Sequence, residues 1–238
     1  MIPRGSTDDT EGCGVEDVEQ YQPRTGALPA RGPFVVGRMV FALLGFSALV
    51  TEVATLVARG RFVPANFFSY FTVESNVMAV VSLLVGSLTA ATGLTSRRLD
   101  IARGAVALYM TTVVLVFVVL LSNRPADELT AVPWDNTVLH YIMPVVVLAD
   151  WLLSGRAAAV GYRLALLWLA VPLAYAVYTL VRGPLSSFYP YPFMDPALHG
   201  YSSVLLTCLV LGVVLAVLAV VVAAGPRWVR PARPGLPG

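Results

Sequence analysis

Residues 66–92 read NFFSYFTVESNVMAVVSLLVGSLTAAT. The run exceeds the ~20 apolar residues that a helix needs to cross a hydrocarbon core of about 30 Å. Its second half is almost wholly apolar, while its first half carries Ser69, Thr72, Glu74, Ser75 and Asn76. At helical spacing Ser69, Thr72 and Asn76 (i, i+3, i+7) share one face, and Tyr70 and Glu74 (i, i+4) share another. A spanning helix with two polar faces is surrounded by protein or lines a cavity, because lipid satisfies no polar group.

Five further runs of similar character flank this one, at about 34–58, 99–122, 135–154, 161–181 and 198–224. Their breaks carry turn and charge signals: Arg59-Gly60-Arg61, Thr95-Ser96-Arg97-Arg98, Asn123-Arg124-Pro125 and Arg182-Gly183-Pro184. Of the 238 residues, 57% are hydrophobic and only 13% charged. A soluble domain is nearer a quarter charged, so lipid is the solvent. The expectation is an all-α integral membrane protein: a six-transmembrane-helix bundle at 34–225 between a polar, acidic tail (1–33) and a Pro/Arg-rich tail (226–238). The first tail has neither helical periodicity nor the apolar core of a signal peptide, and reads as disordered. No internal repeat suggests a transporter built from duplicated halves.

All 16 basic residues are arginine, and the net charge of +2 is too small and too scattered for a nucleic-acid partner. Cys13 and Cys208 fall in the tail and mid-span, have no metal-ligand spacing and do not suggest a disulfide. No cofactor or metal is expected. Six spans put both termini on one side. Twelve arginines go with the tails and the loops after spans two and four, while four (Arg59, Arg61, Arg124 and Arg182) lie opposite. The positive-inside rule then places both termini in the cytoplasm of a cell bounded by this membrane.

With that topology, Thr72 lies ~9 Å, His140 ~8 Å and Glu52 ~10 Å below the outer boundary, at 1.5 Å per residue along continuous helices. Three polar side chains from three helices share a level. Each has a plainer reading. A span threonine commonly bonds its own i−4 carbonyl, a lone histidine can be bonded within the bundle, and Glu52 can pair with Arg59 or Arg61. Buried charge at Glu52 and Glu74 costs about 2.5–3.5 kcal/mol at mid-span and requires a partner, a proton or a wet cavity. Asp150, near the other end of span four, reads as an anchoring acid within reach of Arg103 or Arg156. Asn136 and His140 share a face (i, i+4), so Asn136 or the adjacent Asp135 can orient the imidazole. Tyr175 and Tyr178 lie in the outer half of span five, the aromatics of the loop 186–199 suit the interfacial belt, and Asp195 with His199 is a second acid–base candidate at a span entrance.

The Tyr70-Phe71-Thr72 segment of span two and the Asn136-x-x-x-His140-x-x-x-Pro144 pattern of span four, in this order among six spans, resemble the androgen-induced, androgen-dependent-TFPI-regulating family. The resemblance covers about residues 34–224. Its animal members are six-span hydrolases of fatty acid esters of hydroxy fatty acids, so it implies Thr72 as nucleophile and His140 as base. The sequence departs from the animal pattern at Glu74-Ser75-Asn76 and at Tyr141, where the animal proteins have a small hydroxyl residue. It is more similar to bacterial relatives.

The mechanism expected on this reading is acyl-ester hydrolysis of a lipid-like substrate drawn from the bilayer, through a covalent acyl-threonine. Asn76 or a tyrosine hydroxyl is the candidate oxyanion donor. Asp135, Asn136 and Glu52 are open as a third member. The rival class is a non-catalytic six-span protein, a proton-coupled carrier or lipid-binding module, with Glu52, Glu74 and His140 in its vestibule and Thr72 as helix–helix glue.

Overall fold

The computed structural model describes residues 31–94, 96–124, 130–153 and 160–229. Nearly all of residues 1–33, Arg156 and positions 230–238 therefore lie outside the described residues. Six helices are long and apolar enough to cross a membrane: Gly32–Ala58, Phe71–Thr92, Arg97–Leu121, Pro133–Leu153, Tyr162–Ser186 and Pro196–Val229, spans one to six. Span six shows why lipid must surround them. Only 17% of its most apolar window is buried, and Leu205, Leu206, Leu209, Val210, Val213 and Val217 are all more than half exposed.

Span one packs along span two, span three packs between spans two and four, and span six closes against spans three, four and the first part of span five. One end of the bundle therefore gathers the last turns of spans one, three and five with the first turns of spans two, four and six. At the other end, Gly104 lets two indoles approach: a Cβ there would lie 2.6 Å from Trp168 and 2.9 Å from Trp151. The two rings meet edge to face at 6.3 Å, and Trp151 Nε1 donates to the Val222 carbonyl at 2.8 Å.

Also at that end, Asp150 accepts from Arg38 Nε at 2.7 Å and from Arg103 Nη2 at 2.6 Å. Arg38 also donates to the Gly86 carbonyl at 2.8 Å, and Arg103 lies 3.6 Å from Asp100. The anchoring role read for Asp150 is realised with Arg103. Its second partner is Arg38, from span one. The cluster ties spans one to four together, each charge compensated within it, which is what makes such groups tolerable at membrane depth.

The helices depart from simple rods where the site lies. Span two does not run unbroken from Asn66. A short helix, Pro64–Phe67, ends in a corner at residues 68–70, and the long helix starts at Phe71 with Tyr70 extended at its N-cap. Spans three and four each contain a π-turn, Phe117–Leu121 and Val138–Ile142. Span five continues through Arg182 and Pro184 to Ser186, past the break expected at 182–184. Gly183 permits this because the Tyr189 ring occupies the space of a Cβ there. Span six bends at Gly200 (φ 74°, ψ 153°) and runs on to Val229, beyond the expected boundary at 224.

Candidate functional site

The corner before Thr72 is held from span five. The Tyr175 hydroxyl donates to the Ser69 carbonyl at 2.9 Å, and the Tyr178 hydroxyl meets the Ser69 hydroxyl at 3.0 Å. The Ser69 hydroxyl in turn donates to the Ala65 carbonyl. These tyrosines therefore secure a backbone turn. The corner removes Ser69 and Tyr70 from the helix faces assigned by spacing, and it moves Thr72 to the first turn of span two. Helix N-termini present unpaired amides and a positive partial charge.

Tyr191 covers that terminus. Its hydroxyl accepts from the Thr72 amide at 3.2 Å and lies 3.3 Å from Thr72 Oγ1. It sits in the connection between spans five and six, flanked by Pro190 and Pro192, with its ring stacked on Phe193 (centroids 5.3 Å apart). Burial pushes the Tyr191 hydroxyl up to about 12, against the opposing pull of Thr72 and the Phe71 amide. It is therefore a neutral O–H donor across the ordinary pH range. Sequence reading left an unspecified tyrosine open as an oxyanion donor, and the proline brackets were the available signal for this one.

His140 lies on the π-turn of span four, and Phe117 lies on the π-turn of span three. Their rings stack, centroids 4.2 Å apart and 30° between planes. π-turns are rare and recur at functional sites. The wider turn lets His140 Nδ1 reach the Asn136 carbonyl at 3.1 Å. A carbonyl only accepts, so Nδ1 carries the proton and Nε2 keeps its lone pair. The orienting group is thus the backbone of Asn136. Its side-chain Oδ1 is buried without a hydrogen-bond partner among the described residues.

Thr72 and His140 are both buried, 8% and 6% exposed. Among the described residues no hydrogen bond joins them directly. What they share is a wall. An apolar cavity of about 110 Å³ is bordered by Val113, Phe117, Leu173 and Leu215 among others. A polar cavity of about 440 Å³ is bordered by Glu52, Arg59, Arg61 and Arg124 among others. Thr72, Leu121, His140 and Tyr191 border both.

The remaining candidates divide. Glu52 borders the polar cavity, and both its oxygens accept from the Ala131 amide, at 2.9 and 2.7 Å. Of the two arginines that can pair with it by sequence, Arg59 lies within electrostatic reach, without a close ion pair among the described residues. The Asp135 carboxyl is a near neighbour of Glu52. Asp135 is fully buried and meets no N–H or hydroxyl donor among the described residues, so it faces Glu52, not His140. Asn76 uses its amide group to bind the Thr72 carbonyl at 2.9 Å and the Leu139 carbonyl at 3.2 Å. It borders neither cavity. It bridges the Thr72 helix to the His140 turn, and its two N–H bonds are committed there. Glu74 borders neither cavity either. Asp195 Oδ1 accepts from the Ala197 amide at 2.8 Å, capping span six. His199 touches Asp195 through its backbone amide alone among the described residues.

The arrangement brings together a hydroxyl at a helix N-terminus, an imidazole with a free Nε2 lone pair and a neutral phenol, between one apolar and one polar space. No family model, curated protein or solved structure matches this chain.

Proposed function

We propose that this protein is an intramembrane hydrolase of lipid esters with Thr72 as nucleophile and His140 as base. The observation that carries the reading is the shared wall: both residues face a partition between an apolar and a polar cavity, where an amphipathic ester would place its carbonyl. The resemblance to the androgen-induced, androgen-dependent-TFPI-regulating family supports the same roles.

His140 Nε2 takes the Thr72 proton as Oγ1 attacks the acyl carbon. The Tyr191 hydroxyl, 3.3 Å from Thr72 Oγ1, is the donor available to the developing oxyanion. The proton then passes to the leaving alcohol oxygen as the ester bond breaks. Water deprotonated by His140 splits the acyl-threonine to a carboxylic acid and regenerates the hydroxyl. The hydroxyl and the imidazole close on one another when substrate fills the wall, since catalytic hydrogen bonds in empty sites are commonly longer than in the complex.

The arginine asymmetry of the sequence supports a cytoplasmic-membrane location with both termini inside and this site in the outer half. A carrier would need its polar lining to run on to the charged cluster at the other end. Between Asn76 and that cluster the core includes Ala79, Val80, Leu83, Met143 and Val147, an apolar layer that favours hydrolysis over transport.

The test is labelling of the purified protein by a fluorophosphonate probe, beside Thr72→Ala and His140→Ala. The wild type takes the label and both variants lose it. Labelling that survives both substitutions overturns the assignment.

A further inference from the structure

The polar cavity is about four times the size of the apolar one, 440 against 110 Å³. Its charged lining is Glu52, Arg59, Arg61 and Arg124. Glu52 is already engaged by the Ala131 amide and by Asp135. Arg59 lies within electrostatic reach of Glu52, but among the described residues neither Arg59 nor Arg61 has a side-chain hydrogen bond or a close ion pair, so the N–H donors of both guanidiniums are uncommitted where they border this space.

Their height is informative. Arg59 and Arg61 directly follow the end of span one at Ala58, and Arg124 follows the end of span three at Leu121. Those are the levels at which a bilayer presents lipid phosphates. Thr72, the second residue of span two, borders the same cavity and the apolar one. Glycerophospholipids place an acyl ester a few atoms below their phosphate. An ester of two long chains would have to push one chain among arginines. Guanidinium forks match phosphate oxygens in shape and charge.

Resting on the hydrolase reading for its chemistry, we infer that the substrate is an acyl ester of a phosphate-bearing glycerol. Arg59, Arg61 and Arg124 surround the phosphate, the ester lies at Thr72, and one acyl chain enters the apolar cavity. The acyl carbon gains a bond to Thr72 Oγ1 and loses its bond to the glycerol oxygen, which takes the proton carried by His140. Water then releases the fatty acid.

The experiment uses the full chain in a neutral detergent with three single-ester probes: 1-oleoyl-lysophosphatidylglycerol, 1-oleoylglycerol, and the oleoyl ester of a hydroxy fatty acid. Binding is read by native mass spectrometry and hydrolysis by fatty-acid release. The phosphate probe is expected to bind about tenfold more tightly than either other probe, with a correspondingly lower KM. Arg59→Gln/Arg61→Gln is expected to erase that preference, and Arg59→Lys/Arg61→Lys to recover part of it, which separates lost charge from lost fold. Inorganic phosphate competes weakly if the group is recognised as part of a lipid; competition as strong as the lipid's own overturns a headgroup site. Equal binding of 1-oleoylglycerol, or equal binding of the carboxylate-bearing ester, overturns the inference. The hydrolase reading fails separately, if p-nitrophenyl decanoate is not cleaved by the wild type, and the binding comparison still decides the phosphate site in that case.

Discussion

The Tyr191 hydroxyl contacts Thr72 twice, at 3.2 Å from its amide nitrogen and 3.3 Å from its side-chain oxygen. A residue more than a hundred positions away in sequence thus closes the helix terminus on which Thr72 stands. On the hydrolase reading, Tyr191→Phe removes one oxyanion donor and should lower kcat by about a hundredfold or more, with little change in KM. Steady-state hydrolysis of an activated ester measures this. Because burial pushes the phenol up to about 12, wild type and Tyr191→Phe should show parallel pH–rate profiles up to pH ~10, about the ordinary tyrosine value. An alkaline loss present only in the wild type would show that Tyr191 titrates.

Asn76 stitches the Thr72 turn to the His140 turn through two carbonyls. Asn76→Leu has nearly the same shape and leaves the inter-helix bond to Leu139 unmade. A loss of about 1–3 kcal/mol in stability is expected, together with reduced fluorophosphonate labelling, because the two turns lose their register. Thermal unfolding in detergent, scored beside the labelling rate, tests both. Full labelling in a destabilised variant would assign Asn76 to stability alone.

The buried ions at the far end make an asymmetric prediction. Asp150→Leu strands two guanidiniums that are each 8% exposed, and should cost about 3–5 kcal/mol. Combining it with Arg38→Met and Arg103→Met removes both guanidiniums and should restore part of the loss, since only Asp100 then loses its Arg103 neighbour. Melting temperatures of the single and triple variants decide it, and a triple variant no better than the single one would refute it.

Gly104 has no room for a side chain between the indoles of Trp151 and Trp168. Gly104→Ala must displace at least one ring and should cost about 1–3 kcal/mol by overpacking. Gly212, whose added Cβ meets nothing within 4 Å, is the control: Gly212→Ala should leave the melting temperature unchanged or higher.

The six spans were legible because uninterrupted apolar runs leave a chain no other solvent. Thr72 and His140 were legible as candidates because polar groups in such runs stand out. The corner before Thr72 was not legible. Phe67, Phe68 and Tyr70 read as span, and what bends the chain is a pair of tyrosines on span five, 106 and 109 residues away from Ser69. The π-turns leave no compositional trace, so the orienting role passed unseen from the Asn136 side chain to its carbonyl. Asn76 was placed correctly on the face of Thr72. Its direction, toward Leu139 and away from the cavities, depends on how span four packs, which spacing within span two does not encode.

The wall shared by the two cavities gives any bound amphiphile two independent solvents. Lengthening the acyl end changes only what enters the apolar side, at about 0.8 kcal/mol per buried methylene until that space is full. Changing the polar end alters only what meets the arginines. Contributions from separated regions add, so chain length and headgroup should act on affinity as separable factors. A grid of substrates varied at both ends would collapse onto the sum of one row and one column.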